Sequence, residues 1–166
     1  TDATRWAIEQ GIADPERICI YGGSYGAYSA MMGLAREPEL YACGAGYVGV
    51  YDLDMMVRED SRDSNYMANF TSQWIGEAGQ LGAVSPNRLA DRIKAPVFLA
   101  AGGEDRIAPV EHTEVMERAL KKAGVPVESL YYRYEGHGFY VEAHRIEYYT
   151  KLLDFFARHL GGAKAN

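Results

Sequence analysis

Three residues of this 166-residue chain could together run an acyl-transfer reaction: Ser24, Asp105 and His137. Ser24 sits in Gly22-Gly23-Ser24-Tyr25-Gly26, a match to G-x-S-x-G. The motif follows the short β-branched, apolar run from Arg17 to Tyr21 and precedes a helical pattern, the strand-to-helix context it requires. A very tight turn there strains the backbone of the serine and pushes its hydroxyl into a cleft, while glycines two positions either side let neighbouring chains approach. The following helix aims its N-terminal dipole and free N–H groups at the place where negative charge develops, which makes the N–H of Tyr25 the expected oxyanion donor. A glycine-rich turn can instead cradle a phosphate. This one lacks the Lys-Ser/Thr ending of a P-loop and the three-glycine spacing of a dinucleotide site.

A serine hydroxyl needs a base to take its proton. Of the four histidines, His112, His144 and His159 fall inside predicted helices, whereas His137 lies between glycines in a loop just after a predicted strand. In an α/β sheet the reactive cleft opens outside the carboxyl ends of the strands, where that loop must be. The base needs an acid to hold its tautomer and stabilise its charged form. Asp105 occupies the equivalent loop after the preceding strand, with Glu104 beside it pointing elsewhere and with Asp52 and Asp54 as competitors. The order Ser24, Asp105, His137 is the chain order of α/β-hydrolases.

The elements that must position these residues alternate. Short apolar runs at Arg17 to Tyr21, Ala42 to Tyr51, Ala95 to Ala101 and Val127 to Tyr134 read as buried strands. Helical patterns cover Ala27 to Arg36, Leu53 to Arg58, Pro86 to Arg92, Val110 to Ala123 and Val141 to His159. Ser85-Pro86 is a good helix start, with serine as cap and proline in the first turn. In the last helix Ile146, Tyr149, Leu152, Leu153, Phe156 and Leu160 form the expected sheet-facing stripe. The alternation predicts an α/β fold, a mainly parallel sheet between two helical layers with right-handed crossovers. Residues 1–166 make one domain, ending in a loose tail from Gly161 to Asn166.

Composition narrows the partners. The excess of 23 Asp and Glu over 17 Lys and Arg, a net charge of −6, argues against a nucleic-acid partner. No apolar run reaches the roughly 18 residues of a membrane span, and no signal-peptide pattern opens the chain, so a membrane is not expected and the compartment, cytoplasmic or periplasmic, stays open. Cys19 and Cys43 lie in apolar strand runs as small buried thiols that need no disulfide. Thirteen tyrosines are many for this length, and half-buried strand and helix faces account for most of them.

The segments YGGSYGAY around Ser24, AGGEDRIAP around Asp105 and YEGHGF around His137 resemble the catalytic domain of the prolyl oligopeptidase family. The similarity runs through nearly the whole chain; Ala27 departs from it, where many members have glycine. The resemblance implies a serine peptidase that cleaves short peptides, often after proline or alanine, or removes acylated or free N-terminal units, with no metal or organic cofactor. It places the pocket for the residue before the cut on the segment after the second strand and the next helix, where Tyr25, Val50, Leu53, Met56 and Trp74 are the candidates. Their apolar character predicts a preference for a small or medium hydrophobic side chain. Members also carry a β-propeller, earlier hydrolase strands, and a second oxyanion donor, a tyrosine hydroxyl, in that earlier region. The 16 residues before Arg17 hold one helix, with Trp6, Ala7 and Ile8 as its apolar side, so the expectation is a partial hydrolase domain, truncated before the nucleophile strand. That strand would then be an open edge, inviting a homodimer or a swapped oligomer. The same triad would serve a carboxylesterase, and a chain without the second donor would serve as an inactive assembly or binding module.

Overall fold

The computed structural model describes residues 1–161. Its centre is a sheet of four parallel strands in the order β1-β2-β3-β4: β1 (Cys19–Gly23), β2 (Cys43–Tyr47), β3 (Val97–Gly102) and β4 (Val127–Tyr132). All four lie within the runs predicted from sequence or start and end within two residues of them. The helices are α1 (Asp2–Glu9), α2 (Tyr25–Arg36), α3 (Leu53–Asp63), α4 (Asn65–Trp74), α5 (Val110–Ala123) and α6 (Glu142–Leu160).

The sheet is apolar on both faces because helices cover both, as parallel sheets require. Val97 and Leu99 of β3 pack with Met31, Leu34, Met116 and Leu120 of α2 and α5. The alternate residues Phe98 and Ala100 face the other way, toward Tyr148, Leu152 and Phe155 of α6. The result is three layers. Among the described residues no helix is long and apolar enough to cross a membrane.

Five expectations are corrected. In α6 the buried residues are Tyr148, Leu152 and Phe155, whereas Ile146, Tyr149 and Leu153 are more than half exposed. The helix carries two adjoining apolar stripes, and periodicity alone cannot say which meets the sheet. Aromatic packing decides, since Tyr148 stacks on Tyr47 at 4.7 Å and Phe155 lies 5.8 Å from Phe98. Next, Pro86 to Arg92 forms two 3-10 turns, Pro86–Arg88 and Ala90–Arg92. Ser85 caps neither, because its hydroxyl donates to the Leu81 carbonyl and accepts the Leu53 N–H. Helix α1 buries none of its residues, and polar bonds hold it instead: Arg5 to Glu37 at 2.8 Å and Thr4 to Tyr41 at 3.2 Å. Helix α4 was not foreseen, because its aromatic residues Tyr66, Phe70 and Trp74 are exposed and do not mark a buried stripe in the sequence. Finally, Cys19 and Cys43 stand opposite each other in the β1–β2 register and are joined as a disulfide, with Cα atoms 4.6 Å apart. Gly161 ends α6 in a left-handed conformation, φ 72°, and the rest of the expected tail, 162–166, lies outside the described residues.

Candidate active site

The strand β1 runs into α2 with a single residue between them, Ser24. That residue takes φ 54° and ψ −121°, a conformation that costs a non-glycine residue about 1–3 kcal/mol and persists only where its surroundings enforce it. One enforcing bond runs from the Ser24 N–H to the carbonyl of Tyr47 at the end of β2, at 2.8 Å. The turn is so tight that a Cβ on Gly22 would stand 2.2 Å from the backbone carbon and oxygen of Gly26. Gly26, by contrast, opens onto free space. Gly22→Ala is therefore expected to destabilise the protein by about 3 kcal/mol or more, as immovable backbone is overpacked. Gly26→Ala should leave the thermal midpoint unchanged or higher, since alanine favours a helical first turn. Thermal melts of the two variants side by side check the contrast.

The hydroxyl of Ser24 lies 2.9 Å from Nε2 of His137, and Nδ1 of the same ring lies 2.9 Å from Oδ2 of Asp105. Asp105 is buried in the turn after β3, where its Oδ1 accepts the N–H groups of Ile107 and Ala108, each at 2.9 Å. Both carboxylate oxygens are thereby used, which orients the group and leaves Oδ2 for the imidazole. A backbone bond from Glu104 N–H to the Glu135 carbonyl, at 2.9 Å, ties the loop of Asp105 to the loop of His137. Two residues before His137, the buried carboxylate of Glu135 accepts the N–H groups of Tyr140 and Val141 and the Nδ1–H of His144. Burial pushes the Glu135 carboxyl up, but these three donors outweigh it and hold the group below the ordinary glutamate range.

The N–H of Tyr25 stands in the first turn of α2, which has no intrahelical acceptor for it.

A cavity of about 450 Å³ opens next to Ser24, lined by Tyr25, Tyr28, Val50, Leu53, Met56, Trp74, Ile75, Val84 and Ile107. Tyr25, Val50, Leu53, Met56 and Trp74 are thus brought together on its wall. Sequence reasoning missed Tyr28, Ile75, Val84 and Ile107. Ile107 carried a signal, two residues after Asp105 in a cleft loop, and Tyr28 stands one helical turn past Ser24. Ile75 and Val84 had none, because only the packing of α4 and the turn after it brings them in.

The competing acids and histidines have other duties. Burial pushes the Asp52 carboxyl up, yet Asn87, the Met55 N–H and Arg88 hold it below the usual carboxylate range. Asp54 accepts the N–H groups of Gly79 and Leu81. His112 is fully buried, with Nδ1 facing the N–H groups of Tyr51 and Asp52 and Nε2 facing Glu59 at 3.1 Å. Nδ1 must accept, so the ring is neutral with its proton on Nε2, and burial keeps its pKa below the ordinary histidine value against the pull of Glu59. It shapes the turn that enters α3 and the cavity wall. His144 stacks on Tyr132 at 4.0 Å and His159 packs on Phe155.

Comparison with known proteins gives consistent results. The sequence profile described as "Prolyl oligopeptidase family" matches residues 1–163. The chain is 31% identical over 171 residues to dipeptidyl aminopeptidase BIII of Pseudoxanthomonas mexicana, covering 97% of this chain and 24% of that protein. It is 29% identical to dipeptidyl peptidase family member 6 of Caenorhabditis elegans, covering 97% and 23%. The chain thus spans about a quarter of the length of these relatives. Among solved structures, a puromycin-hydrolyzing peptidase of Mycobacterium tuberculosis superposes with a TM-score of 0.85 at 26% identity, over 99% of this chain and 25% of that one. The fold is of the α/β-hydrolase type.

Proposed function

This chain belongs to the prolyl oligopeptidase family, and from that premise we propose that it is a serine peptidase acting on short peptides through an acyl-enzyme on Ser24. The observation that carries the reading is the unbroken hydrogen-bonded line from Ser24 Oγ through His137 to Asp105, with both links at 2.9 Å. Ser24 attacks the scissile carbonyl as its proton passes to Nε2 of His137, and the buried Asp105 carboxylate stabilises the imidazolium that forms. The oxyanion accepts the Tyr25 N–H. His137 then gives the proton to the departing amine, and a water attacks the acyl group by the same route to restore the serine.

The cavity beside Ser24 takes the side chain preceding the cut. Apart from Ser24 its lining is apolar and aromatic, and no charged side chain lies on it among the described residues. A charged substrate side chain would be desolvated there without a partner, so hydrophobic residues of small or medium size are preferred.

A fluorophosphonate probe tests the assignment on the folded chain. The expected result is one adduct per molecule, located on Ser24 by peptide mass spectrometry. No adduct on folded protein, or an adduct elsewhere, overturns it.

A further inference from the structure

Resting on the assignment of Ser24 and His137 above, we propose that Tyr47 is a positioning residue that holds the nucleophile turn and the base loop in register through the two ends of one amino acid. Ser24 and His137 are 113 residues apart in sequence, and their 2.9 Å contact requires two independent loops to be fixed relative to each other. Tyr47, the last residue of β2, reaches both. Its carbonyl accepts the Ser24 N–H at 2.8 Å, and its hydroxyl accepts the N–H of Phe139, two residues beyond His137, at 2.7 Å.

Between His137 and Phe139 lies Gly138 at φ 145°, a region that glycine enters readily, and its wide backbone freedom means that glycine by itself does little to fix the direction of the chain there. The Phe139 N–H is therefore an effective place to pin it. The ring of Phe139 is buried and meets Tyr47 and Tyr132 edge-on, each at 4.9 Å, and Tyr47 itself stacks on Tyr148. Packing keeps both rings in place even without the hydroxyl, so the hydrogen bond can be removed by itself. Burial pushes the Tyr47 hydroxyl up to about 12, against the opposing pull of the Phe139 N–H, so the phenol stays neutral and the pin holds across the working pH range.

The test compares the full chain with Tyr47→Phe and, as control, Tyr132→Phe, whose hydroxyl bonds instead to the His144 carbonyl and Glu147. In Tyr47→Phe the Phe139 amide should exchange with solvent faster, and the low-field His137 Nδ1 proton should broaden. The maximal rate of fluorophosphonate acylation should fall roughly tenfold with half-saturation unchanged, because a small misplacement of reacting atoms acts on the chemical step. The control should match the parent in all three. If Phe139 exchange and the Nδ1 proton are the same in Tyr47→Phe, or if both change while the acylation rate does not, the proposal is overturned. Failure of the parent chain to label would instead defeat the Ser24 reading. The exchange and proton measurements need no turnover, so they would still decide whether Tyr47 places the imidazole.

Discussion

Ser24→Ala is expected to abolish fluorophosphonate labelling and to lower hydrolysis of an activated peptide ester by roughly a millionfold, the scale seen when a triad serine is removed from an otherwise intact site. The effect should be purely chemical. Among the described residues the hydroxyl pairs with Nε2 of His137, and alanine at this position meets the same φ of 54° that serine already tolerates. The thermal midpoint should therefore stay close to that of the parent. A variant that folds and still turns over ester faster than about a thousandth of the parent rate would place the nucleophile elsewhere.

Asp105→Asn is expected to cost about 10⁴-fold in acylation rate while leaving the fold intact. The direction follows from the donors around the group. The N–H groups of Ile107 and Ala108 both point at Oδ1 and require an acceptor there, so the amide oxygen of asparagine takes that place. Its NH₂ then faces Nδ1 of His137, where Oδ2 stood. Nδ1 must now accept a hydrogen bond, and the ring carries its proton on Nε2, toward Ser24. A base already protonated on that nitrogen cannot take the serine's proton. Because asparagine preserves the turn after β3, melting should shift little. Stopped-flow acylation with the probe, paired with a thermal melt, separates the tautomer effect from unfolding. An acylation rate within tenfold of the parent would show that the orienting acid is another group.

Much of the site was legible because its parts announce themselves locally. The G-x-S-x-G turn at Ser24 between an apolar run and a helical pattern, the single loop histidine at His137, and Asp105 in the loop before it each depend on a few neighbouring residues. The cavity candidates Val50, Leu53, Met56 and Trp74 followed from the family resemblance, and they share one wall with Tyr25. What was not legible depends on distant partners. Tyr47 gave no sign in the sequence of meeting Phe139, 92 residues away. Nor did the sequence mark Glu135, whose side chain binds the N–H groups of Tyr140 and Val141 and the ring of His144 at the turn into α6.

The strand order, the parallel sheet, the helices other than α4 and the three side chains proposed to react were legible in the sequence alone, because hydrophobic period, turn residues and motif spacing are properties of short stretches of chain. The tertiary structure decided the rest: which stripe of α6 turns inward, that Ser85 braces a turn instead of capping a helix, and that Cys19 meets Cys43. It also decided which backbone groups lock the loops of Ser24, Asp105 and His137 together. In each case several local solutions have nearly equal energy, and only packing against a distant element makes one of them lower than the others.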